Sequence, residues 1–403
     1  MLAPLPLQAV ILFSGDNSTN TSAPDLLRED AFNAVARVCN GDGTGTSGSA
    51  VHLRGKYMLT ARHVTLRSHV TFDGASFYAR DTAFTPVTFG TADIKLFKLI
   101  EVPSQATIPL YTGNTDIPST RTGGSRPPRL TYTTGTLIGW GLGRDINDLE
   151  GPTWNWGSTS TLDKRWGTNR IESSTAITYT LGTFDYSYTA LTTKANSSSG
   201  NNEAAATLFD SGSGLFIDDG GTYKLAGITT VVETAGSSTF SDASGDTNFF
   251  VRITEYAEAI EAAIPDVTSL AGWKVDHSLY GADAENDADP DFDGISQLME
   301  FALGGDPNVN DRSILPVHAL VEDGGSTYLE LRLTRPIGLQ GISYIPKTTA
   351  DLKIWPNDSS GIADPAPLPQ DNHDGTETLI YRTSQTVSEA EQAFIRIDIS
   401  EIP

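Results

Sequence analysis

Three polar residues lie at points of the chain where acyl-transfer chemistry could be assembled. His63 ends the apolar run 57–63, Asp93 begins a second apolar run, and Ser211 lies in the glycine-containing segment 208–214. Glycines directly after a serine let the chain turn sharply and expose the hydroxyl. A serine hydroxyl becomes nucleophilic near neutral pH when an imidazole accepts its proton, and a buried carboxylate fixes the tautomer of that imidazole. The three residues therefore predict a nucleophilic triad.

The elements that must position these residues have the pattern of β-strands. From about 30 to 247, short β-branched and aromatic runs such as 57–61 and 225–232 are separated by Gly, Asn, Asp and Ser. This alternation is typical of a barrel or a sandwich. Between 248 and 264 the apolar spacing changes to three and four residues, which predicts an amphipathic helix that ends before Pro265.

Several sequence blocks, in the same order along the chain, resemble those of the chymotrypsin-like serine peptidases. They are Leu-Thr-Ala-Arg-His at 59–63, Asp-Ile-Lys-Leu at 93–96, Leu-Ile-Gly-Trp-Gly at 137–141, Asp-Ser-Gly-Ser at 210–213, Leu-Ala-Gly-Ile-Thr-Thr at 225–230 and the helical pattern at 248–264. The resemblance covers roughly residues 30–264. It implies an all-β fold of two antiparallel β-barrels followed by a C-terminal helix. It also implies peptide-bond hydrolysis with His63, Asp93 and Ser211 as the catalytic residues.

The expected oxyanion hole departs from the family pattern. The resemblance assigns the oxyanion to the backbone N–H groups of Ser211 and Phe209, and the family usually has glycine at the second position. That backbone commonly needs a conformation that is costly for a bulky residue, and losing one oxyanion donor costs about 2.7–4 kcal/mol. Phe209 therefore leaves three alternatives: a slow enzyme, a hole that forms only on substrate binding, or a degenerate peptidase.

Asp210, directly before the serine, also has two interpretations. It either accepts hydrogen bonds within its own loop or, as the resemblance allows, pairs with a freshly cut N-terminus. The sequence has no Ile-Val-Gly-Gly start, although 10–12 is a distant candidate.

The resemblance also assigns residues to the specificity pocket. These are Ala205, six residues before Ser211, and Thr230, Val231 and Val232 on the opposite wall. Ala205 stands where trypsin-like relatives place an aspartate, so we expect no preference for Lys or Arg. Bulky groups on the other wall favour a small or medium apolar residue before the cleaved bond, and Glu203 would change this if the count contained an insertion.

An acidic segment carries the pattern D-x-D-x-D-G-x5-E of a calcium loop. Its candidate ligands are Asp289, Asp291, Asp293, the carbonyl of Ile295, Gln297 through a water, and Glu300 through both oxygens. Gly294 permits the sharp bend between them. The loop resembles single calcium loops of thrombospondin type 3 or dockerin-like character in secreted bacterial proteins. We therefore expect a structural Ca²⁺ and no cofactor for catalysis; the alternative is a solvated acidic linker.

The composition of the chain argues against several classes of binding partner and cross-link. The chain has 27 Lys and Arg against 50 Asp and Glu, a net charge of −23, which argues against nucleic acid and anionic membranes. Its single cysteine, Cys39, excludes an intramolecular disulfide. No apolar run is long enough to span a bilayer. No Lys or Arg precedes Arg28, so we expect that any export signal is missing from this chain.

These observations together predict three regions and one function. Residues 1–264 form the peptidase domain, 265–312 an acidic linker with the calcium loop, and 313–403 a small β-sandwich-like accessory domain. We expect a secreted serine endopeptidase that acts on proteins or peptides, with an accessory domain that binds a surface or polymer. The alternative is a catalytically impaired peptidase fold that serves in binding or surface adhesion.

Overall fold

In the computed structural model, the chain forms two compact units, Met1–Ile264 and Pro265–Pro403. The structure describes residues 10–12, 17–113, 132–145, 153–195, 202–233, 239–241, 246–363, 368–390 and 392–402. Within these ranges most regular structure is β-strand, and none of the helices has the length and hydrophobicity of a membrane-spanning segment.

The first half of unit 1 forms an antiparallel barrel. Its strands are β1 (Ile11–Leu12), β2 (Val35–Cys39), β3 (Gly48–Arg54), β4 (Tyr57–Thr60), β5 (His69–Thr71), β6 (Tyr78–Ala79), β7 (Val87–Thr88) and β8 (Lys95–Lys98). All but β1 lie in one sheet, in the order β6-β5-β2-β3-β4-β8-β7. The sheet closes where Arg80 bridges Leu99 and the Ile100 N–H donates to the Ala79 carbonyl at 2.9 Å.

The second half forms a closed six-stranded barrel. The strands of this half are β9 (Thr134–Gly141), β10 (Thr153–Asn155), β11 (Asp163–Leu181), β12 (Phe184–Lys194), β13 (Ala204–Ala205), β14 (Gly214–Asp218), β15 (Tyr223–Glu233), β16 (Thr239–Ser241) and β17 (Thr247–Arg252). The barrel order is β11-β12-β17-β15-β14-β9, while β1 pairs with β13 and β10 with β16. The all-β fold of two antiparallel barrels is therefore confirmed.

Both barrels contribute to one apolar core. Met58 and Phe97 from the first barrel and Ile138, Phe216 and Ile228 from the second belong to a single buried cluster. Burying each such side chain contributes about 1.5–3 kcal/mol. The shared core fixes the two barrels against each other.

The helix that closes this unit is shorter than the sequence predicted. Unit 1 contains α1 (Leu26–Asn33) and α2 (Ala257–Ala263), with a 3₁₀ turn at Ile253–Glu255 before α2. The prediction of a helix from 248 was wrong, because residues 247–252 form β17 and pair with both β12 and β15. Aromatic and β-branched residues suit a strand, and the tertiary pairing decides between the two periods.

Unit 2 is a small β-sandwich. It contains α3 (Leu270–Asp276), α4 (Gln297–Leu303), β18 (Val317–Asp323), β19 (Ser326–Pro336), β20 (Ile342–Thr349), β21 (Gln370–Asp371), β22 (Thr376–Arg382) and β23 (Phe394–Glu401). Its sheets are β18-β19-β22-β21 and β20-β23. Leu333 and Leu379 from one sheet pack in a cluster with Tyr344 and Ile397 from the other.

The acidic segment 265–312 belongs to the same unit as the sandwich. Leu303, at the end of α4, lies in the cluster that the two sheets form, and the Tyr344 hydroxyl donates to the Ala302 carbonyl at 2.6 Å. The segment that the sequence suggested as a linker thus contributes to the core of unit 2.

Candidate active site

His63 and Asp93 form a hydrogen-bonded pair at one edge of the first barrel. Strands β4 and β8 pair with Thr60 opposite Lys95, so the residues just after β4 and just before β8 meet. The His63 Nδ1 lies 2.5 Å from Asp93 Oδ2, and the His63 backbone N–H donates to Oδ1 at 2.9 Å. This two-point contact fixes which imidazole nitrogen faces the carboxylate.

The environment of Asp93 keeps it ionised. Its side chain is 0% exposed, and this burial acts to raise the pKa. The charge of His63 and hydrogen bonds from His63 and from the Tyr179 hydroxyl outweigh the burial, so the pKa of Asp93 is lowered from its usual value. A buried carboxylate with such partners can stabilise an imidazolium.

The loop that carries Ser211 packs directly on the strand that leads to His63. A Cβ on Gly212 would lie only 2.1 Å from the Ser49 carbonyl oxygen and 2.2 Å from Thr60 Oγ1, and its φ is +86°. Only glycine fits this approach. The Gly212 N–H also donates to the Thr229 carbonyl at 2.9 Å, which ties the loop to β15.

Ser211 lies beside the segment that contains His63. Gly48 lies between the two segments: a Cβ placed on this glycine would be 2.8 Å from the Ser211 carbonyl oxygen and also 2.8 Å from Val64 Cγ2. The Ser211 carbonyl oxygen and Val64 Cγ2 are therefore no farther apart than twice that distance. His63 Nε2 is buried and has no hydrogen-bond partner among the described residues. Ser211 is 3% exposed, and no hydrogen bond joins it to Nε2 in the described part of the chain. Such bonds are often long in free enzymes and shorten with substrate.

Phe209 adopts the backbone that glycine usually supplies. Its φ is +81°, a region that costs a non-glycine residue about 1–3 kcal/mol. The N–H groups of Phe209 and Ser211 donate to no acceptor within the described ranges. The chain therefore tolerates this strain and leaves both predicted oxyanion donors free.

Ser49, which the sequence analysis did not single out, connects both barrels to the serine loop. Its hydroxyl donates to the Phe209 carbonyl at 2.9 Å and accepts the Trp140 N–H at 3.0 Å. Its backbone N–H donates to the Ser211 carbonyl at 2.8 Å, and its carbonyl accepts the Thr60 hydroxyl at 2.6 Å. A serine at the start of a strand gave no sequence signal for these contacts.

Asp210 is a buried carboxyl beside the serine. Burial raises its pKa well above the usual value, against the opposing effects of the Thr207 N–H and the Arg165 charge. Oδ2 accepts the Thr207 N–H at 3.3 Å, within its own loop, while Oδ1 has no partner among the described residues.

The residues assigned to the specificity pocket lie on β13 and β15. Ala205 is buried and faces Ile11 in the β1–β13 pair. Thr230 is also buried, and its hydroxyl contacts the Tyr188 hydroxyl at 2.5 Å. Val231 and Val232 follow a bulge in β15 and are half-buried. The two valines are therefore the more accessible of the four.

The predicted calcium loop brings its carboxylates together in unit 2. Asp289, Asp291 and Asp293 each place a carboxylate oxygen within 4.8 Å of the other two.

Glu300 is 2% exposed, and both its carboxylate oxygens and the Gln297 amide have no partner in the described structure. Burial, followed by the charges of Asp293, Asp291 and other carboxylates, raises the pKa of Glu300 to about 7. An all-oxygen set with excess negative charge fits a hard divalent cation. The Ile295 N–H donates to Asp293 Oδ1.

Comparisons with known proteins give matches among solved structures. No protein-family model matches this sequence, and no curated protein is significantly similar to it. The chain is similar to the solved structure of Rv3671c protease in its inactive form, with a TM-score of 0.35 and 13% identity over 59% of this chain and 91% of that one. It is also similar to neuropsin, a serine protease expressed in the limbic system of mouse brain, with a TM-score of 0.38 and 15% identity over 58% of this chain and 95% of that one. These values are too low to bear on the function of single residues.

Replacing Ser49 tests the connection between the barrels. Ser49→Ala leaves the Phe209 carbonyl and the buried Trp140 N–H without the Ser49 hydroxyl, which should lower the free energy of unfolding by about 1–3 kcal/mol. Ser47→Ala is the matched control, because in the described structure the Ser47 hydroxyl bonds the exposed Thr65 carbonyl and the Val38 carbonyl. Urea unfolding measures both variants. Equal stability of the two would contradict the role given to Ser49.

Proposed function

We propose that unit 1 is a serine endopeptidase that hydrolyses peptide bonds through an acyl-enzyme on Ser211. The observation that carries the proposal is the His63–Asp93 pair, with Nε2 of His63 without a partner in the described structure and the Ser211 loop close to the neighbouring Val64. Nucleophilic catalysis needs a hydroxyl, a base that accepts its proton and a group that orients the base. His63 follows β4, Asp93 precedes β8, and Ser211 lies in the loop before β14.

In the first half of the reaction, Ser211 Oγ attacks the scissile carbonyl carbon while its proton moves to His63 Nε2. Asp93 stabilises the imidazolium that forms. The backbone N–H groups of Phe209 and Ser211 would donate hydrogen bonds to the negatively charged carbonyl oxygen and stabilise it. The C–N bond then breaks, Nε2 returns the proton to the leaving amine, and the acyl group remains on Ser211.

In the second half, a water molecule attacks the acyl carbon. His63 Nε2 accepts one proton of that water and then gives it to Ser211 Oγ as the ester bond breaks. The products are a free carboxylate and a free amine, and the enzyme returns to its starting state.

For substrate choice we propose a small or medium apolar residue before the cleaved bond. Ala205 offers no charge for a basic side chain, and Val231 and Val232 supply apolar, partly exposed surface on β15. We also propose an extracellular site of action, on the basis of the sequence resemblance to secreted proteins.

Labelling with a fluorophosphonate tests the assignment of the nucleophile. We expect the wild-type protein to be labelled at Ser211 and to cleave casein, and Ser211→Ala to lose both properties. Ser213→Ala is the control in the same loop; its hydroxyl bonds Thr229 Oγ1 at 2.6 Å, and it should still be labelled. A folded wild-type protein that is not labelled, or labelling that survives Ser211→Ala, would refute the proposal.

A non-catalytic binding protein is the second candidate. Two observations favour it: Ser211 is nearly covered, and Phe209 carries backbone strain in the oxyanion region. This candidate requires that peptides bind without turnover and that His63→Ala binds them equally well. Fluorescence anisotropy with a labelled peptide mixture, measured alongside cleavage, separates the two candidates.

We further propose that the loop 289–300 binds a structural Ca²⁺ through Asp289, Asp291, Asp293 and Glu300. The grouping of three aspartates and the buried, unpartnered Glu300 support this site. The ion would neutralise carboxylates that otherwise repel one another. It would therefore stabilise unit 2 and have little direct effect on the chemistry of unit 1.

Calcium removal should destabilise the protein. At about 100 times its Kd the ion contributes about 2.7 kcal/mol, so chelation with EDTA should lower Tm by roughly 5–10 °C. Glu300→Gln should abolish this difference and, in EDTA, be at least as stable as wild type, because it removes a buried charge. The exposed Glu285→Gln is the control. An unchanged Tm with EDTA, and no calcium bound in calorimetry, would refute the site.

A further inference from the structure

The long hairpin formed by β11 and β12 reaches the edge of the first barrel that carries His63 and Asp93. Beyond the bulge near Ile171, its two strands pair from Ser173 to the turn at 182–183. Near its tip, the Ser187 N–H donates to the Thr91 carbonyl at 3.0 Å, and the Thr91 hydroxyl donates to the Ser187 carbonyl at 2.8 Å. The hairpin of the second barrel is thereby attached two residues before Asp93.

This hairpin brings a phenol to the carboxylate of the triad. The Tyr179 hydroxyl donates to Asp93 Oδ2 at 2.5 Å, and the same oxygen faces His63 Nδ1. Oδ1 meanwhile accepts the His63 backbone N–H. A third donor on a buried carboxylate both restrains its rotation and takes up part of its negative charge.

Other aromatic residues hold Tyr179 in place. Its ring stacks on Tyr186, with ring centroids 5.1 Å apart, and meets Tyr188 edge-on at 6.2 Å. The Tyr188 hydroxyl in turn contacts Thr230 on β15. Burial foremost, with Tyr188 and Asp93, raises the pKa of Tyr179 far above its usual value. The phenol therefore keeps its proton and acts as a donor to Asp93.

We propose that Tyr179 is a positioning residue for the triad: its O–H fixes the Asp93 carboxylate toward His63 Nδ1 and limits how strongly that carboxylate stabilises the imidazolium. This inference rests on the proposed peptidase function. The sequence blocks that resemble the peptidase family lie outside the hairpin and assign it no role. Tyr179 touches Asp93 and acts on the reaction only through His63.

The pH range in which this proposal can be tested depends on the other charged and titratable groups around Asp93. Lys95 donates to the Arg62 and Val64 carbonyls and attracts Asp93, and burial lowers the pKa of Lys95 to about 8. Tyr186 and Tyr188 face Asp93 from the hairpin, and their pKa values are raised, chiefly by burial. A titration well below the pKa of Lys95 therefore leaves the charge of Lys95 unchanged.

The test replaces Tyr179 by Phe, which keeps the ring in the core and removes the donor. The less stabilised carboxylate attracts the imidazolium more strongly, so the pKa of His63 should rise by about half a unit to one unit. The kcat should fall about tenfold with KM unchanged, because the imidazole is less well oriented. Tyr186→Phe is the matched control: its ring is buried in the same stack, no hydrogen bond from its hydroxyl to Asp93 occurs in the described structure, and both quantities should stay at wild-type values.

The pKa of His63 is measured by NMR of ¹⁵N-histidine-labelled protein between about pH 5 and 7.5, alongside the pH profile of kcat/KM. Site-specific 3-fluorotyrosine at 179 adds a variant of nearly unchanged shape. Its hydroxyl is a stronger donor, so the pKa of His63 should shift downward. Opposite shifts for the two substitutions would support the proposal.

The proposal is overturned if neither substitution moves the pKa of His63 relative to Tyr186→Phe. It is also overturned if kcat falls with an unchanged His63 pKa and a lowered Tm, because that result describes packing alone. The NMR titration needs no turnover. A wild-type protein that fails fluorophosphonate labelling would therefore refute the peptidase function while still deciding whether Tyr179 acts on the Asp93–His63 pair.

Discussion

The candidate active site depends on the contact between the Ser211 loop and the strands of the first barrel at Ser49. His63 and Asp93 belong to the first barrel, whereas Ser211 and Phe209 belong to the second. Ser49 bonds the carbonyls of Phe209 and Ser211 and the N–H of Trp140, so one buried residue joins the loop of Ser211, the proposed nucleophile, to the barrel that carries His63, the proposed base. The shared apolar core fixes the two barrels against each other, and the bonds of Ser49 place the Ser211 loop on the first barrel.

Hydrogen bonds in the site also stabilise groups that would otherwise lower the stability of the fold. Phe209 holds a left-handed backbone, and Asp93 is a buried charge; each lowers stability unless surrounding groups fix it. The Ser49 hydroxyl fixes the Phe209 carbonyl, and three hydrogen bonds from His63 and Tyr179 surround Asp93. Groups that lower stability and are held in place by their neighbours are typical of functional sites. Unit 2 shows a related case in Glu300, where a cation would supply the compensation.

Local patterns in the sequence were sufficient for part of this structure. The all-β architecture and the expectation that His63 and Asp93 lie at strand ends followed from apolar runs and their boundaries, because adjacent antiparallel strands bring such ends together. Ser49 and Tyr179 could not be found in this way, since their contacts join residues far apart in the chain and depend on how the barrels pack. The helix expected from 248 failed for a similar reason: its first residues satisfy two periodicities, and pairing with β12 and β15 selects the strand.

If the proposed mechanism is correct, a tetrahedral adduct on Ser211 is held between His63 and the backbone N–H groups of Phe209 and Ser211. A crystal structure of the protein with a bound peptidyl boronic acid shows whether this adduct forms. We predict a covalent bond from Ser211 Oγ to boron, one boron-bound oxygen within hydrogen-bonding distance of the Phe209 and Ser211 N–H groups, and His63 Nε2 in contact with the adduct. A structure in which the inhibitor binds elsewhere, or in which the Phe209 N–H faces away from a bound adduct, would contradict it.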